Sequence, residues 1–129
     1  MTGARPDQTV RRRAAYLRGH RAEWFALVAL MLKGYWPIGR RVRFAAGEID
    51  LIVKRWNTIA FVEVKARPRR DDAREAIDAV KRRRFSRAVR SWIGHNPWCA
   101  GLTFRADAVF VGARGWPAHV ADAFPIEGL

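Results

Sequence analysis

The chain has 129 residues, half of them hydrophobic, with 25 Lys and Arg against 12 Asp and Glu for a net charge of +13. That length gives one domain able to bury a core without disulfides or a structural metal, and that hydrophobicity excludes a chain disordered by composition. The charge excess calls for a polyanionic partner, nucleic acid first and a membrane surface or an acidic protein second, while Cys99 as sole cysteine excludes an internal disulfide or a cysteine-cluster zinc site and fits a reducing cytoplasm.

Residues 1–8, with Gly3 and Pro6, read as a flexible N-terminal tail, and residues 9–129 as a single domain. Thr9 is a candidate N-cap for a long helix to Lys33, stopped by Gly34. Trp24, Leu27, Val28 and Met31 recur at helical spacing and predict its buried stripe. The apolar run Trp24 to Leu32 is far shorter than the roughly 20 residues that span a bilayer, so a core helix and no membrane are expected. Tyr35 to Phe44 predicts a strand distorted near Pro37, and Ala45-Ala46-Gly47 a turn.

Residues 48–55 and 59–66 are rich in Ile, Val, Leu and Phe and flank Trp56-Asn57-Thr58, which predicts an antiparallel hairpin. If the loop closes between Arg55 and Thr58, partners have numbers summing to 113. Asp50 then stands opposite Glu63, and Glu48 opposite Lys65. Strict alternation puts Ile49, Leu51, Val53, Val62 and Val64 on one apolar face, and Glu48, Asp50, Glu63 and Lys65 on the other. Two facing carboxylates repel, so a hard divalent cation such as Mg²⁺ is the natural occupant between them. A solvated Glu48–Lys65 ion pair is the plainer alternative, and a bulge at Trp56-Asn57 would shift the register by one and flip every assignment.

Arg67 to Asp72 reads as a polar loop, and Asp71 or Asp72 as the cap of a second helix reaching to about Trp92, ended by Gly94, Asn96 and Pro97. Thr103 to Val111 predicts a strand and His119 to Phe124 a short edge strand. The order is α-β-β-β-α-β, an α/β domain in which helices flank a mixed sheet.

Glu23 shares a helix side with Leu27 and Leu30 and has no Lys or Arg three or four residues away. His20, His95 and His119 lack metal-ligand spacing and read as surface or capping residues, and most of the six tryptophans read as core. The segments Gly19-His20-Arg21-Ala22-Glu23-Trp24-Phe25-Ala26, Gly34-Tyr35, Gly47-Glu48-Ile49-Asp50-Leu51-Ile52, Phe61-Val62-Glu63-Val64-Lys65 with Arg67, and Phe104-Arg105-Ala106-Asp107 resemble the bacterial YraN family. That family is similar to Holliday-junction resolvases of the PD-(D/E)xK nuclease superfamily. The resemblance covers about residues 11 to 124. It implies a restriction-endonuclease-like core, metal ligation by Asp50 and Glu63, a catalytic Lys65, and Glu23 as an additional metal-binding acid. No glutamine follows the Glu63-Val64-Lys65 motif, and Ile38 to Arg43 is richer in arginine than the family pattern.

The expected function is therefore Mg²⁺-dependent hydrolysis of DNA phosphodiesters, with Mn²⁺ as a substitute metal and branched or junction DNA as the fitting substrate. Arg67, Arg69 and Arg70 after the motif, and Lys81, Arg83, Arg84 and Arg87 on the second helix, are the expected backbone contacts. A homodimer would suit the cutting of two strands. The alternatives are a basic nucleic-acid-binding protein that keeps the fold without cleaving, and an adaptor for an acidic protein.

Overall fold

The computed structural model describes residues 20–66, 79–112 and 115–129. Its elements are α1 (20–32), β1 (Trp36–Phe44), β2 (Gly47–Arg55), β3 (Thr58–Lys65), α2 (Ala79–His95), a 3-10 turn at Pro97–Cys99, β4 (Thr103–Phe110) and β5 (Ala118–Val120). The expected tail and the starts of both helices lie outside the described residues. One mixed sheet runs in the order β1-β2-β3-β4-β5. All neighbours are antiparallel except β3 and β4, which the α2 crossover makes parallel. This is the α-β-β-β-α-β arrangement of the restriction-endonuclease-like fold, closed by a short fifth strand. No helix among the described residues is long and apolar enough to cross a membrane.

Each helix covers one face of the sheet. Ala26, Leu27 and Leu30 of α1 pack with Tyr35, Leu51, Val53, Ala60, Val62 and Val109. Phe85, Ala88, Val89 and Trp92 of α2 pack with Ile49, Ile52, Ile59, Phe61 and Ala106 on the other side. β2 and β3 are thus buried on both faces, which corrects the expectation of one apolar and one charged face. The charged residues collect at the end of the hairpin instead.

The stop of α1 is a Schellman motif: Tyr35 N–H bonds Leu30 C=O at 3.1 Å and Gly34 N–H bonds Met31 C=O at 3.0 Å. It requires left-handed backbone at Gly34, whose φ is 93°. The predicted stripe of α1 needs correction, because Trp24, Val28 and Met31 are exposed and only Leu27 of the four is buried. Small residues, Ala22, Ala26 and Ala29, take the inner side and let the helix lie close to the sheet. Glu23 shares that inner side.

The hairpin register is the one the turn predicts, with Leu51 opposite Val62, Ile52 opposite Phe61 and Arg55 opposite Thr58. The β1–β2 register shifts between Pro37 and Gly39, the distortion expected near that proline, and is constant from Gly39↔Ile52 and Arg40↔Leu51 to Val42↔Ile49 and Arg43↔Glu48, so Arg41 stands opposite Asp50. Alternation breaks a second time at Asp50. Arg41 has φ 50°, a left-handed backbone. Ile49 lies on the α2 side with Ile52, not on the side of Leu51 and Val53 as strict alternation requires. Asp50 stands at the break.

Candidate active site

Four carboxylates surround the irregular end of the hairpin, and each is positioned by a different local cause. Asp50, opposite the left-handed Arg41, turns its carboxylate to the backbone, where Oδ2 accepts the N–H of Val64 at 2.8 Å. The β2–β3 ladder ends one pair earlier, at Leu51↔Val62. Asp50 therefore sits beside Glu63 without the regular cross-strand pairing the register suggests. Glu63 and Lys65 lie on one face of β3, and Lys65 Nζ is 3.1 Å from Glu63 Oε1. Glu23 approaches from the inner side of α1 and is bonded at 2.8 Å by Arg41 Nε. Glu48 pairs across β1 with Arg43, also at 2.8 Å, and not with Lys65 as parity predicts.

Electrostatics single out Asp50. Burial, then the charge of Glu63, and to a lesser degree those of Glu23 and Glu48, push its pKa up to about 8, against the pull of the Val64 N–H bond. Lys65 is buried at 9 % exposure, and its ammonium meets the part-buried Glu63. Among the described residues no three of His, Cys, Asp and Glu are gathered closely enough to cage a metal ion. Glu23, Glu48 and Glu63 each face a cation of this chain.

Beside the site lies an open cleft of about 550 Å³, lined by Glu48, Glu63, Arg43, Phe44, Lys81 and Arg84 among others. Gly47 forms its floor against α2, where an added Cβ would come within 2.6 Å of the Arg84 carbonyl oxygen. Lys81 and Arg84 thus reach the cleft that contains Glu63. Arg83 and Arg87 are exposed on α2 away from its buried residues Phe85, Ser86, Ala88, Val89 and Trp92. Arg67, Arg69 and Arg70 lie outside the described residues.

A second polar cluster escaped the sequence reading. Asp107 on β4 is fully buried and takes two bonds of 2.8 Å from Arg105, one of 2.7 Å from His119 Nε2 and one of 3.0 Å from the Asp122 N–H. Burial alone would raise its pKa, but the His119 and Arg105 hydrogen bonds, the Asp122 N–H and the Arg105 charge outweigh it and hold it below the ordinary carboxylate value. Arg105 also bonds the Tyr35 hydroxyl, and His119 Nδ1 lies 2.8 Å from Lys33 Nζ. His119 is therefore an internal bridge between β5 and β4, not a surface residue. Its local sequence gave no hint of this, because Asp107 lies twelve residues away in the chain. His95 does cap, through Nδ1 on the Ser91 carbonyl at 2.7 Å.

The family model described as "Uncharacterised protein family UPF0102" matches residues 22–111, a span holding Glu23, Asp50, Glu63, Lys65 and Asp107. A UPF0102 protein of Methylobacterium radiotolerans is 77% identical over 129 residues, covering 100% of both chains. One from Methylobacterium nodulans is 64% identical over 117 residues, 91% of each chain, and one from Methylorubrum extorquens is 60% identical over 123 residues, 95% of this chain and 96% of the relative. The hairpin with its carboxylates and buried lysine lies inside the matched span, and the chain belongs to the UPF0102, or YraN, family.

Proposed function

We propose that this protein is a metal-dependent DNA endonuclease that hydrolyses phosphodiester bonds, with Asp50, Glu63 and Lys65 at its centre and Glu23 as a further acid. The observation that supports this best is the convergence of Asp50, Glu63 and the buried Lys65 where the hairpin ladder breaks, next to a cleft edged by Lys81 and Arg84. The donor set suits a hard cation: all the oxygens are carboxylate, and the charges around Asp50 are too poorly offset for it to ionise at its ordinary pH. Asp50 and Glu63 would hold Mg²⁺ or Mn²⁺, with Glu23 as the third acid. When bound, such an ion supplies Lewis acidity at the scissile phosphate and acidifies the attacking water.

The chain's own groups do the rest. Lys65 stands two residues after Glu63 on the same face, where its ammonium can orient the water or offset charge growing on the non-bridging phosphate oxygens. The water oxygen bonds phosphorus, the bond from phosphorus to the leaving oxygen breaks, and one water proton ends on that oxygen. No covalent enzyme intermediate is required. Lys81, Arg83, Arg84 and Arg87 offer charge to the sugar-phosphate backbone without any arrangement that reads bases, which favours recognition of DNA shape, branched DNA included, over sequence.

A specific observation favours a second reading, a DNA-binding protein that does not cut: Glu23, Glu48 and Glu63 already face Arg41, Arg43 and Lys65. Cleavage of supercoiled plasmid and of a four-way junction, with Mg²⁺ or Mn²⁺ and with EDTA, separates the two. The endonuclease reading expects metal-dependent cutting lost in Asp50→Ala and Lys65→Ala. Equal cutting by both variants would reject the site, and tight binding without any cutting would establish the binder.

A further inference from the structure

Five of the six tryptophans are exposed, and only Trp92 is buried, against the expectation that most would fill the core. The most exposed is Trp56, at 84 %, on the tip of the β2–β3 hairpin. Its φ is 54°, a left-handed backbone that is unfavourable for a bulky side chain, while Asn57 next to it is a residue type that tolerates that conformation. Turn formation therefore does not explain a tryptophan here. The tip is braced from within: Lys54 Nζ bonds the Trp56 carbonyl and the Thr103 N–H bonds the Asn57 carbonyl at 2.8 Å. Arg55 lies over the Tyr35 ring at 4.3 Å and over the Trp56 ring at 5.6 Å, so the indole is set beside a fixed guanidinium. Trp36, 68 % exposed, pairs with Lys54 on the adjoining strand.

An exposed ring with a free face, on a hydrogen-bonded turn and flanked by cations on a chain of net charge +13, is the arrangement by which proteins stack unpaired bases while attracting the backbone. A lipid surface also takes tryptophan and arginine, but it calls for an apolar face laid flat, and Trp56 stands on a narrow turn directly after Lys54 and Arg55. We propose that the hairpin tip is a second nucleic-acid contact, in which Trp56 stacks on an unpaired base and Lys54 and Arg55 hold the adjoining phosphates. It lies six positions along the chain from Asp50, roughly 20 Å at about 3.3 Å per residue. A substrate with a single-stranded arm beside a duplex would touch both places. The proposal rests on the reading of this protein as acting on DNA, but not on its cutting DNA.

The test is fluorescence anisotropy of the full chain in EDTA, with a labelled single strand, a forked duplex and a blunt duplex. Trp56→Gly accepts the left-handed backbone without strain, so the fold is kept and only the ring is lost. Affinity for the single strand and the fork should fall about tenfold, that for the blunt duplex less than about twofold, and Trp56→Phe should recover most of the loss. Equal effects on all three DNAs, no effect on any, or the same loss in Trp116→Ala would overturn the proposal. So would unchanged DNA binding with lost adsorption to anionic vesicles, which would make the tip a membrane contact. Because no divalent metal is present, failure here leaves cleavage untouched, and an Asp50→Ala variant that still cuts leaves the Trp56 result standing.

Discussion

The Asp50 carboxylate accepts the Val64 N–H at 2.8 Å, a bond that the register would otherwise give to a backbone carbonyl of β2. One side chain thus replaces a rung of the ladder and brings a carboxylate into the group formed by Glu63, Glu23 and Glu48. A fold that spends backbone pairing to hold an acid among acids leaves that acid hard to ionise, which gives the first prediction a direction.

The Asp50 pKa is about 8 in the folded chain against an ordinary 3.8. The folded state binds the proton more tightly, so stability is highest below pH 4 as far as this group is concerned, and is lost as pH rises through 4 to 8. Asp50→Asn keeps an acceptor for Val64 and removes the charge. At pH 8.5 in EDTA its melting temperature should exceed that of the unaltered chain by several degrees, with the gap closing towards pH 5. Added Mg²⁺ should raise the melting temperature of the unaltered chain at pH 8.5 and leave Asp50→Asn unmoved. An identical Mg²⁺ response in both would remove Asp50 from the metal site.

What the sequence could and could not convey follows from the same residues. Register and the stop of α1 were legible because Arg55-Trp56-Asn57-Thr58 limits how a short loop can close and Gly34 leaves few helix endings. The inward direction of Glu23 was legible from its spacing to Leu27 and Leu30. The register shift between Pro37 and Gly39 was legible from the proline, but the left-handed Arg41 and the break in alternation at Asp50 were not, since neither is a glycine and both sit in ordinary strand sequence. The exposed tryptophans and the buried Asp107 were illegible for a related reason: residue type sets average burial, and the tertiary partners Arg105, His119 and Asp122 decide the exception.

Lys65 distinguishes chemistry from pairing. Lys65→Met keeps the aliphatic bulk and removes the ammonium, which should slow single-turnover cleavage by about 10²–10⁴-fold while DNA affinity, measured with Ca²⁺, changes by less than about threefold. If the positive charge serves only to neutralise Glu63, Lys65→Arg should keep folding, binding and cleavage alike. Folding and binding kept in Lys65→Arg with cleavage still absent supports a catalytic lysine.

The Asp107 cluster is expected to hold the fold and not the chemistry. Asp107→Ala leaves the Arg105 guanidinium without its bidentate partner and removes the acceptor for His119 and Asp122, a loss on the order of 3–5 kcal/mol. The melting temperature should drop by about 10 °C or more. Because the folded pKa lies below 3.8, Asp107 contributes fully above that value, and its contribution fades as pH falls further. Acid unfolding of the unaltered chain should therefore be steeper below pH 4 than that of Asp107→Asn. A stable Asp107→Ala with lost cleavage would instead move this cluster into the active site.

Lys81 and Arg84 edge the cleft beside Glu63, whereas Arg83 and Arg87 point elsewhere on α2. If the cleft seats the scissile phosphate, the two pairs should behave differently despite equal charge. Each lost phosphate contact lowers the slope of log affinity against log salt by about 1. Lys81→Ala with Arg84→Ala should therefore flatten the slope by about 2 and also lower single-turnover cleavage at saturating DNA, because the phosphate loses its alignment with Lys65. Arg83→Ala with Arg87→Ala should flatten the slope by a similar amount and leave saturated cleavage within about twofold. Equal cleavage losses in both double variants would mean that the cleft has no special role and that α2 acts only through its summed charge.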